Sequence, residues 1–248
     1  MTEICVINLD RSKDRWNHIS KQFEKADLEI TRISGVDGKL ANHPLFEKYC
    51  DELSIRWKGR SLSAGQLGCF ASHYLTWERC VNSKSPIIVI EDDAVISDKL
   101  KVFIDNLTTL PKQVECVRLF RNHSKHFRTW PVKTIADGIE LVKYTKGPMR
   151  ATAYYITPPA AKKFIEASQR WFLPVDITMD RFWDNGVECY GVLPEIVWND
   201  ESLDSTIGYD EPKVARPLRV RARRELFNLQ EQLLKWISNI RFLLRRPR

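Results

Sequence analysis

Ile87-Ile88-Val89-Ile90-Glu91-Asp92-Asp93 is the stretch whose reading decides the fold. Four β-branched apolar residues in a row follow Pro86 and stop at three carboxylates. A strand with one wet face alternates polar and apolar residues. An unbroken apolar run belongs to a central strand covered on both faces, as in α/β proteins. Ligands of open α/β sheets bind outside the carboxyl ends of the strands, which is where the three acids fall.

Working outward, the same alternation of strand and helix continues. Residues 4–9 read as a buried first strand. Ser12 then reads as a helix N-cap, with Trp16, Ile19 and Phe23 at helical spacing. A second strand over 29–33 ends in the turn Val36-Asp37-Gly38. Residues 39–62 read as loop plus a short helix, and Ser63-x-x-Gln66 as a capping box. Behind the box Leu67, Phe70, Ala71, Tyr74, Leu75 and Trp77 line one helix face. Past the acids, Leu100, Phe103, Ile104 and Leu107 predict a helix stopped before Pro111, and 116–120 a strand. Residues 121–150 read as an irregular polar loop. A strand at 153–156, a helix capped by Thr157 with Pro158 at its first position, a helix over 175–185 and a strand over 187–193 complete the series. The pattern predicts an α/β fold with a mainly parallel, Rossmann-like sheet flanked by helices.

Three adjacent carboxylates repel one another unless a cation or hydrogen-bond donors compensate. Oxygen-only ligands suit Mg²⁺ or Mn²⁺, and such ions bridge to diphosphates. Strand alternation would send Glu91 and Asp93 toward one ligand. Set against this is an ordinary acidic turn, and the two weigh about equally on these residues alone. Gly65-Gln66-Leu67-Gly68-Cys69-Phe70-Ala71-Ser72-His73 opens a helix with two glycines, which permits close backbone approach and offers amide donors to phosphate. Tight helix packing is the plainer explanation of that segment. Asp176, Asp180 and Asp184 fall four residues apart and would share a helix face. A carboxylate there could act as general base toward an acceptor, while a solvated helix face is the alternative.

The charge divides the chain. It is 248 residues long with a net charge of +7. From Pro212 to Arg248 there are eleven basic and two acidic residues, so this tail carries +9 and residues 1–211 carry −2. We therefore divide the chain into a catalytic domain, 1–211, and a basic tail, 212–248. In the tail Leu226, Leu229, Leu233, Trp236, Ile237, Ile240, Leu243 and Leu244 recur every three or four residues among arginines. That pattern predicts an amphipathic basic helix on an anionic membrane surface, in preference to one packed on the body or on a second protomer in a homodimer. Truncation near residue 212 is then expected to release the body from the membrane without inactivating it. A nucleic-acid-binding module using the arginine-rich tail is the competing class. The acidic body and the lack of a stacking-aromatic motif speak against nucleic acid. Six scattered cysteines with no metal-like spacing, and an N-terminus that enters a strand directly, suggest a reducing, cytoplasmic setting.

Several of these segments together resemble glycosyltransferase family 25, the lipooligosaccharide and LPS glycosyltransferases, with β-galactosyltransferases and more distant collagen galactosyltransferases among them. The segments are Val6-Ile7-Asn8-Leu9-Asp10-Arg11 with Arg15, Gly35-Val36-Asp37-Gly38, Gly65 to His73, Ile90 to Asp93, Ala153 to Ile156 with Ala160-Ala161, Pro174-Val175-Asp176 and Ser205-Thr206-Ile207-Gly208. The resemblance implies a GT-A-like fold and an inverting, metal-dependent hexosyltransferase. The donor would be a UDP-sugar, UDP-galactose favoured. The acceptor would be a lipid-linked oligosaccharide of LPS at the inner face of a bacterial cytoplasmic membrane. Glu91 and Asp93 would hold Mn²⁺ or Mg²⁺, Asp93 most directly. Asn8, Leu9, Asp10, Arg11 and Arg15 would border the nucleotide, and Asp37 the base or ribose. Gly68, Ser72, His73 and Asp92 would line the donor pocket. Asp176, then Asp180, would be the base. Trp198-Asn199-Asp200 departs from the more polar segment expected there, so a third metal ligand at Asp200 does not follow. An inactive transferase-like scaffold is the remaining alternative, which the intact carboxylates disfavour.

Overall fold

A computed structural model describes residues 2–40, 42–121, 127–200 and 218–245. The chain begins β1 (Glu3–Asn8), α1 (Lys13–Lys25), β2 (Thr31–Ser34), α2 (Asp51–Lys58), α3 (Ala64–Ser83) and β3 (Ile87–Glu91). It continues β4 (Ala94–Ile96), α4 (Lys99–Asp105), β5 (Cys116–Arg118), β6 (Thr129–Ala136), β7 (Ile139–Tyr144), β8 (Ala153–Ile156) and α5 (Pro158–Ala167). Last come α6 (Val175–Asp180), α7 (Phe182–Asn185), β9 (Tyr190–Leu193), β10 (Val197–Asn199) and α8 (Leu218–Arg245).

Eight strands make one sheet in the order β2-β1-β3-β8-β5-β9-β7-β6, and β10 pairs with β4 beside it. β1 is parallel to β2 and β3, and β5 to β9. β8 runs antiparallel to β3 and β5, and β7 to β6 and β9. The architecture is GT-A-like α/β, with a mixed sheet whose parallel strands gather at the β2-β1-β3 end. There Asn8 pairs with Ser34 and Ile7 with Glu91, so three carboxyl ends open on one side.

The apolar run of β3 has the predicted cause. Ile88 and Ile90 pack with Ile19, Phe23 and Phe103 on one face of the sheet. Ile87 and Val89 pack with Phe70, Trp77, Phe164 and Trp171 on the other. Phe70 lies nearly flat on Trp171, with ring centroids 4.3 Å apart. The capping box forms: Ser63 accepts from the Gln66 amide at 3.2 Å, and the Ser63 amide donates to the Gln66 side chain at 3.0 Å. Ser12 and Thr157 occupy the expected N-cap positions, but neither side chain caps its helix.

Two expectations fail. Much of the loop expected over 121–150 is the β6–β7 hairpin at the sheet edge. It closes through Asp137-Gly138, with Gly138 left-handed at φ +67°. Pro131 and two register shifts hide the alternation of β6, and such interruptions are tolerated on an edge strand. The single helix expected over 175–185 is broken at Arg181 (φ −86°, ψ 57°) into α6 and α7. The Asn185 side-chain amide donates to the Thr178 and Met179 carbonyls at 2.8 and 3.2 Å, replacing the helical bonds that the break removes. Asp184 therefore leaves the face that Asp176 and Asp180 share.

The 211/212 boundary lies outside the described residues, but α8 is placed. One face packs on the body. Phe227 is buried and stacks on Trp57 at 5.2 Å. Glu231 takes both Arg181 nitrogens at 2.6 and 2.9 Å. Phe242 stacks on Trp130, and Asn239 donates to the Thr145 carbonyl at 2.9 Å. Leu226, Leu229, Leu233 and Trp236 remain exposed on the other face. Among the described residues no helix is long and apolar enough to cross a membrane.

Candidate functional site

The carboxyl ends of β1 and β3, the turn after β2 and the start of α3 enclose a cleft of about 100 Å³. Leu9, Arg11, Arg15, Asp37, Gly65, Cys69, Ser72, His73 and all three of Glu91, Asp92 and Asp93 line it. Of the expected donor-pocket residues, Asn8, Asp10 and Gly68 are not in its wall.

β3 alternation places the first two acids. Glu91 continues the Ile87–Val89 side and meets α3: His73 Nε2 lies 3.2 Å from its Oε1, and the Cys69 thiol donates to that oxygen at 3.7 Å. His73 Nδ1 lies 2.9 Å from the Tyr154 hydroxyl, which also accepts from Trp77 Nε1 at 2.9 Å. One tautomer satisfies the whole chain: Trp77 donates to Tyr154, Tyr154 to His73, and His73 to Glu91. Burial alone would raise the Glu91 pKa, but the bonds from His73, Cys69 and Thr152 outweigh it and hold it down.

Asp92 points to the α1 side. It accepts from Asn8 Nδ2 at 2.7 Å and from Arg15 at 3.0 Å. Burial nonetheless raises its pKa. Asn8 also donates to the Ser12 carbonyl and accepts from Arg32, so it ties β1 to β2 and Asp92.

Alternation ends at Glu91, because the chain turns there and β4 begins at Ala94. Asp93 sits in that turn. Asn199 Nδ2 donates to its Oδ1 at 3.2 Å, and the Asp200 amide donates to its carbonyl at 2.9 Å. Burial, with the charges of Glu91 and Asp92 nearby, drives the Asp93 carboxyl up to about 7 despite Arg15. Arg15 compensates this carboxylate only in part.

The glycines explain the turn after β2. A Cβ on Gly68 would lie 2.4 Å from the Val36 carbonyl oxygen, and one on Gly38 would lie 1.7 Å from that of Ala64. The turn is pressed onto α3, and Ser72 anchors it by accepting from the Val36 amide at 2.8 Å. That contact brings Asp37 to the cleft, paired with Arg11, which holds its carboxyl below the usual range. Asp10 turns away to Arg32 and Ser34.

Asp176 and Asp180 lie together on a different structure. Met149 and Arg150 are both left-handed, at φ +63° and +58°. The Met149 amide donates to Asp180 at 2.8 Å and the Arg150 amide to Asp176 at 3.0 Å. Arg118, buried, donates to Asp180 at 2.6 Å and to the Arg150 carbonyl at 3.0 Å. Burial raises the Asp180 carboxyl to about 6 against Arg118, while the Arg118 guanidinium is held more firmly protonated beside it. Asp180 is thus enclosed. Asp176 is half-buried, and its charge helps burial and Glu91 push the Cys69 thiol well up. Neither acid is among the residues that line the cleft, and Asp176 is linked to it only through its charge on Cys69.

Asn199 is the site residue that the sequence reading missed. Besides donating to Asp93, it accepts from Arg150 at 2.8 Å and Thr152 at 3.1 Å, joining the two acidic groups. The pairing of β10 with β4 that puts it there is non-local. Asp200 lies 3.5 Å from His18 Nε2.

Two donor sets could hold a cation. Ligand atoms of Cys69, His73 and Glu91 lie within 4.8 Å of one another. Their thiol is kept protonated, and the imidazole already bridges Tyr154 and Glu91. Glu91 and Asp93 both line the cleft and their charges influence each other, and carboxylate oxygens suit a hard divalent cation better than a protonated thiol does.

The profile of glycosyltransferase family 25 (LPS biosynthesis protein) matches residues 1–179. A glycosyltransferase 25 family member of Anopheles gambiae is 26% identical over 217 residues, 84% of this chain and 35% of that protein. Procollagen galactosyltransferase 2 of Homo sapiens is 28% identical over 189 residues, 70% of this chain and 29% of that protein. A probable inactive glycosyltransferase 25 family member 3 of Bos taurus is 29% identical over 122 residues, 47% of this chain and 20% of that protein. The chain spans about a third or less of the length of these relatives.

Proposed function

The chain belongs to glycosyltransferase family 25, and from that premise we propose that it is an inverting hexosyltransferase that uses a UDP-sugar and a divalent cation. The observation that carries the reading is the gathering of Glu91, Asp92 and Asp93 in the wall of a cleft at the carboxyl ends of parallel strands. Galactose is the favoured sugar, in line with the name of the human relative. An LPS oligosaccharide is the favoured acceptor, in line with the family's description.

In this mechanism Arg11, Asp37 and Arg15 line the nucleotide side of the cleft. Asp176 takes the proton of the acceptor hydroxyl, whose oxygen then attacks the anomeric carbon as the bond to UDP breaks. Mn²⁺ or Mg²⁺ bound by Asp93 and Glu91 would supply positive charge to the departing diphosphate. His73, fixed through Tyr154 and Trp77, orients Glu91. Asp180 is assigned to positioning, because Arg118 and Met149 occupy it. The test is UDP release from a panel of UDP-sugars with and without Mn²⁺, for wild type and Asp93→Ala. Metal-dependent release that Asp93→Ala abolishes supports the reading. Equal release by both proteins in EDTA refutes the metal mechanism, and no release from any donor with acceptor oligosaccharide present favours an inactive scaffold.

The outward stripe of α8 is proposed to seat the enzyme peripherally on an anionic, cytoplasmic membrane face. Its apolar residues are flanked by the exposed Arg219, Arg223 and Arg241, which suits anionic lipid. Because the opposite face packs on the body, truncation at 212 would remove core packing as well as any membrane contact. Paired substitution of Leu229 and Trp236 by Ser is the cleaner test. Flotation with phosphatidylglycerol vesicles should drop at least about a hundredfold, since each of the two exposed apolar anchors contributes about 1.5–3 kcal/mol when buried. Dimer dissociation instead, with flotation unchanged, would assign the stripe to a second copy.

A further inference from the structure

A second cavity, of about 180 Å³, lies between α2, α6 and α8. Lys58, Arg60, Arg224, Asn228, Pro174 and Ile177 are in its wall. That is far more space than the ~10–15 Å³ one water needs. Three cationic side chains reach it from two parts of the chain, and no acid is among its described lining residues. The local geometry is built for this. Gly59, left-handed at φ +72°, ends α2 and sets Lys58 and Arg60 on either side of the turn. Ser54 fixes that turn by donating to the Arg60 carbonyl at 2.9 Å. Lys58 is held over the Phe227 ring at 5.1 Å. Glu231, the nearest acid influencing Lys58, is engaged by Arg181 at 2.6 and 2.9 Å. Burial, with Arg181, Arg224 and Arg60 close by, lowers the Lys58 pKa despite Glu231. Like charges gathered around a polar cavity are relieved by an anion, and guanidinium groups match the oxygen spacing of phosphate and carboxylate.

The cavity's position ties it to the donor cleft. Pro174 and Ile177 flank Asp176 on α6, and the cavity residue Leu62 directly precedes Ser63, the cap of the helix that carries Gly65, Cys69 and His73 into the cleft. We infer that the cavity between α2, α6 and α8 binds an anionic group, phosphate or carboxylate, carried by the acceptor glycan. The anion site stands on its own geometry; the word acceptor rests on the transferase reading above.

The test titrates inorganic phosphate, and separately acetate, into the full chain saturated with UDP and Mg²⁺, so that the donor cleft is filled. Phosphorus NMR line widths follow phosphate, and proton line widths follow acetate. Saturable broadening that weakens at least fivefold in Arg60→Gln and in Arg224→Gln, with thermal midpoints unchanged, supports the site. The exposed Arg219→Gln should bind as wild type does. Whichever anion gives the larger response names the group. Broadening that does not saturate, or that both variants leave intact, overturns the site. A lipid headgroup is the other source of phosphate. Flotation of Arg60→Gln with phosphatidylglycerol vesicles should match wild type, and an equal loss of flotation and phosphate binding would overturn the acceptor assignment. Phosphate binding without UDP release from any donor would refute the transferase reading while leaving the anion site. UDP release without phosphate binding would refute the anion site alone.

Discussion

The molecule holds two groups of carboxylates, a β-strand apart, and treats them oppositely. Asp176 and Asp180 receive backbone amides and Asp180 a buried guanidinium. Asp93 receives one side-chain amide and faces two other acids. The same residue type is structural at Asp180 and primed for a cation at Asp93. The neighbours decide this, and Asn199 bridges the two sets. The contrast teaches that an acid's role here follows from what has already filled its lone pairs.

The sharpest way to break the comparison is to remove one acid from each set. Asp93→Ala should lower UDP release at least ~10³-fold, about 4 kcal/mol of transition-state stabilisation. Its thermal midpoint should hold or rise, because a buried, only partly compensated charge is gone. If Asp93→Ala unfolds the protein, the carboxylate is structural and the contrast collapses.

Asp180→Ala should do the reverse. It leaves Arg118 buried without its carboxylate, and breaking such a pair costs about 3–5 kcal/mol. Urea unfolding should show that loss. An activity loss with unchanged stability would instead place Asp180 in the chemistry. Gly147→Ala belongs next, since its Cβ would lie 2.0 Å from Asp180 Cγ. The turn must shift off the acid, and about 1–3 kcal/mol of stability should be lost.

The difference between the two groups also marks how far the sequence could be read. The β2-β1-β3 end was legible because its signals are local: a two-sided apolar strand, a capping box, and carboxylates at a strand terminus. Strand alternation paired Glu91 with Asp93, whereas Asp93 sits in a turn and Asp92 points to α1. The second group was not legible, because its logic is long-range. Asp180 looked like part of a continuous acidic face until Arg181 broke the helix and Arg118, 62 residues away, supplied the charge. The hairpin was hidden by Pro131 and by bulges, although Asp137-Gly138 was available as a turn signal. Likewise the tail's periodicity was plain, but both faces of α8 are apolar, and periodicity alone does not say which one meets Trp57, Trp130 and Arg181.

The smallest effect probes what the acids do for the turn beside them. Met149 and Arg150 are consecutive left-handed residues, a conformation that costs each side chain roughly 1–2 kcal/mol. Nothing in their own backbone favours it, so the amide bonds to Asp180 and Asp176 must hold it. Met149→Gly relieves the steric cost but adds chain entropy to the unfolded state, about 0.5–1 kcal/mol. The net change should therefore be a gain of about 0–1.5 kcal/mol. The informative measurement is a cycle with Asp180→Ala. In the Met149→Gly background Asp180→Ala should cost more than it does alone, because less strain is released to offset the lost bonds. Equal costs in both backgrounds would mean that Asp180 holds Arg118 only, and that the turn keeps its shape without it.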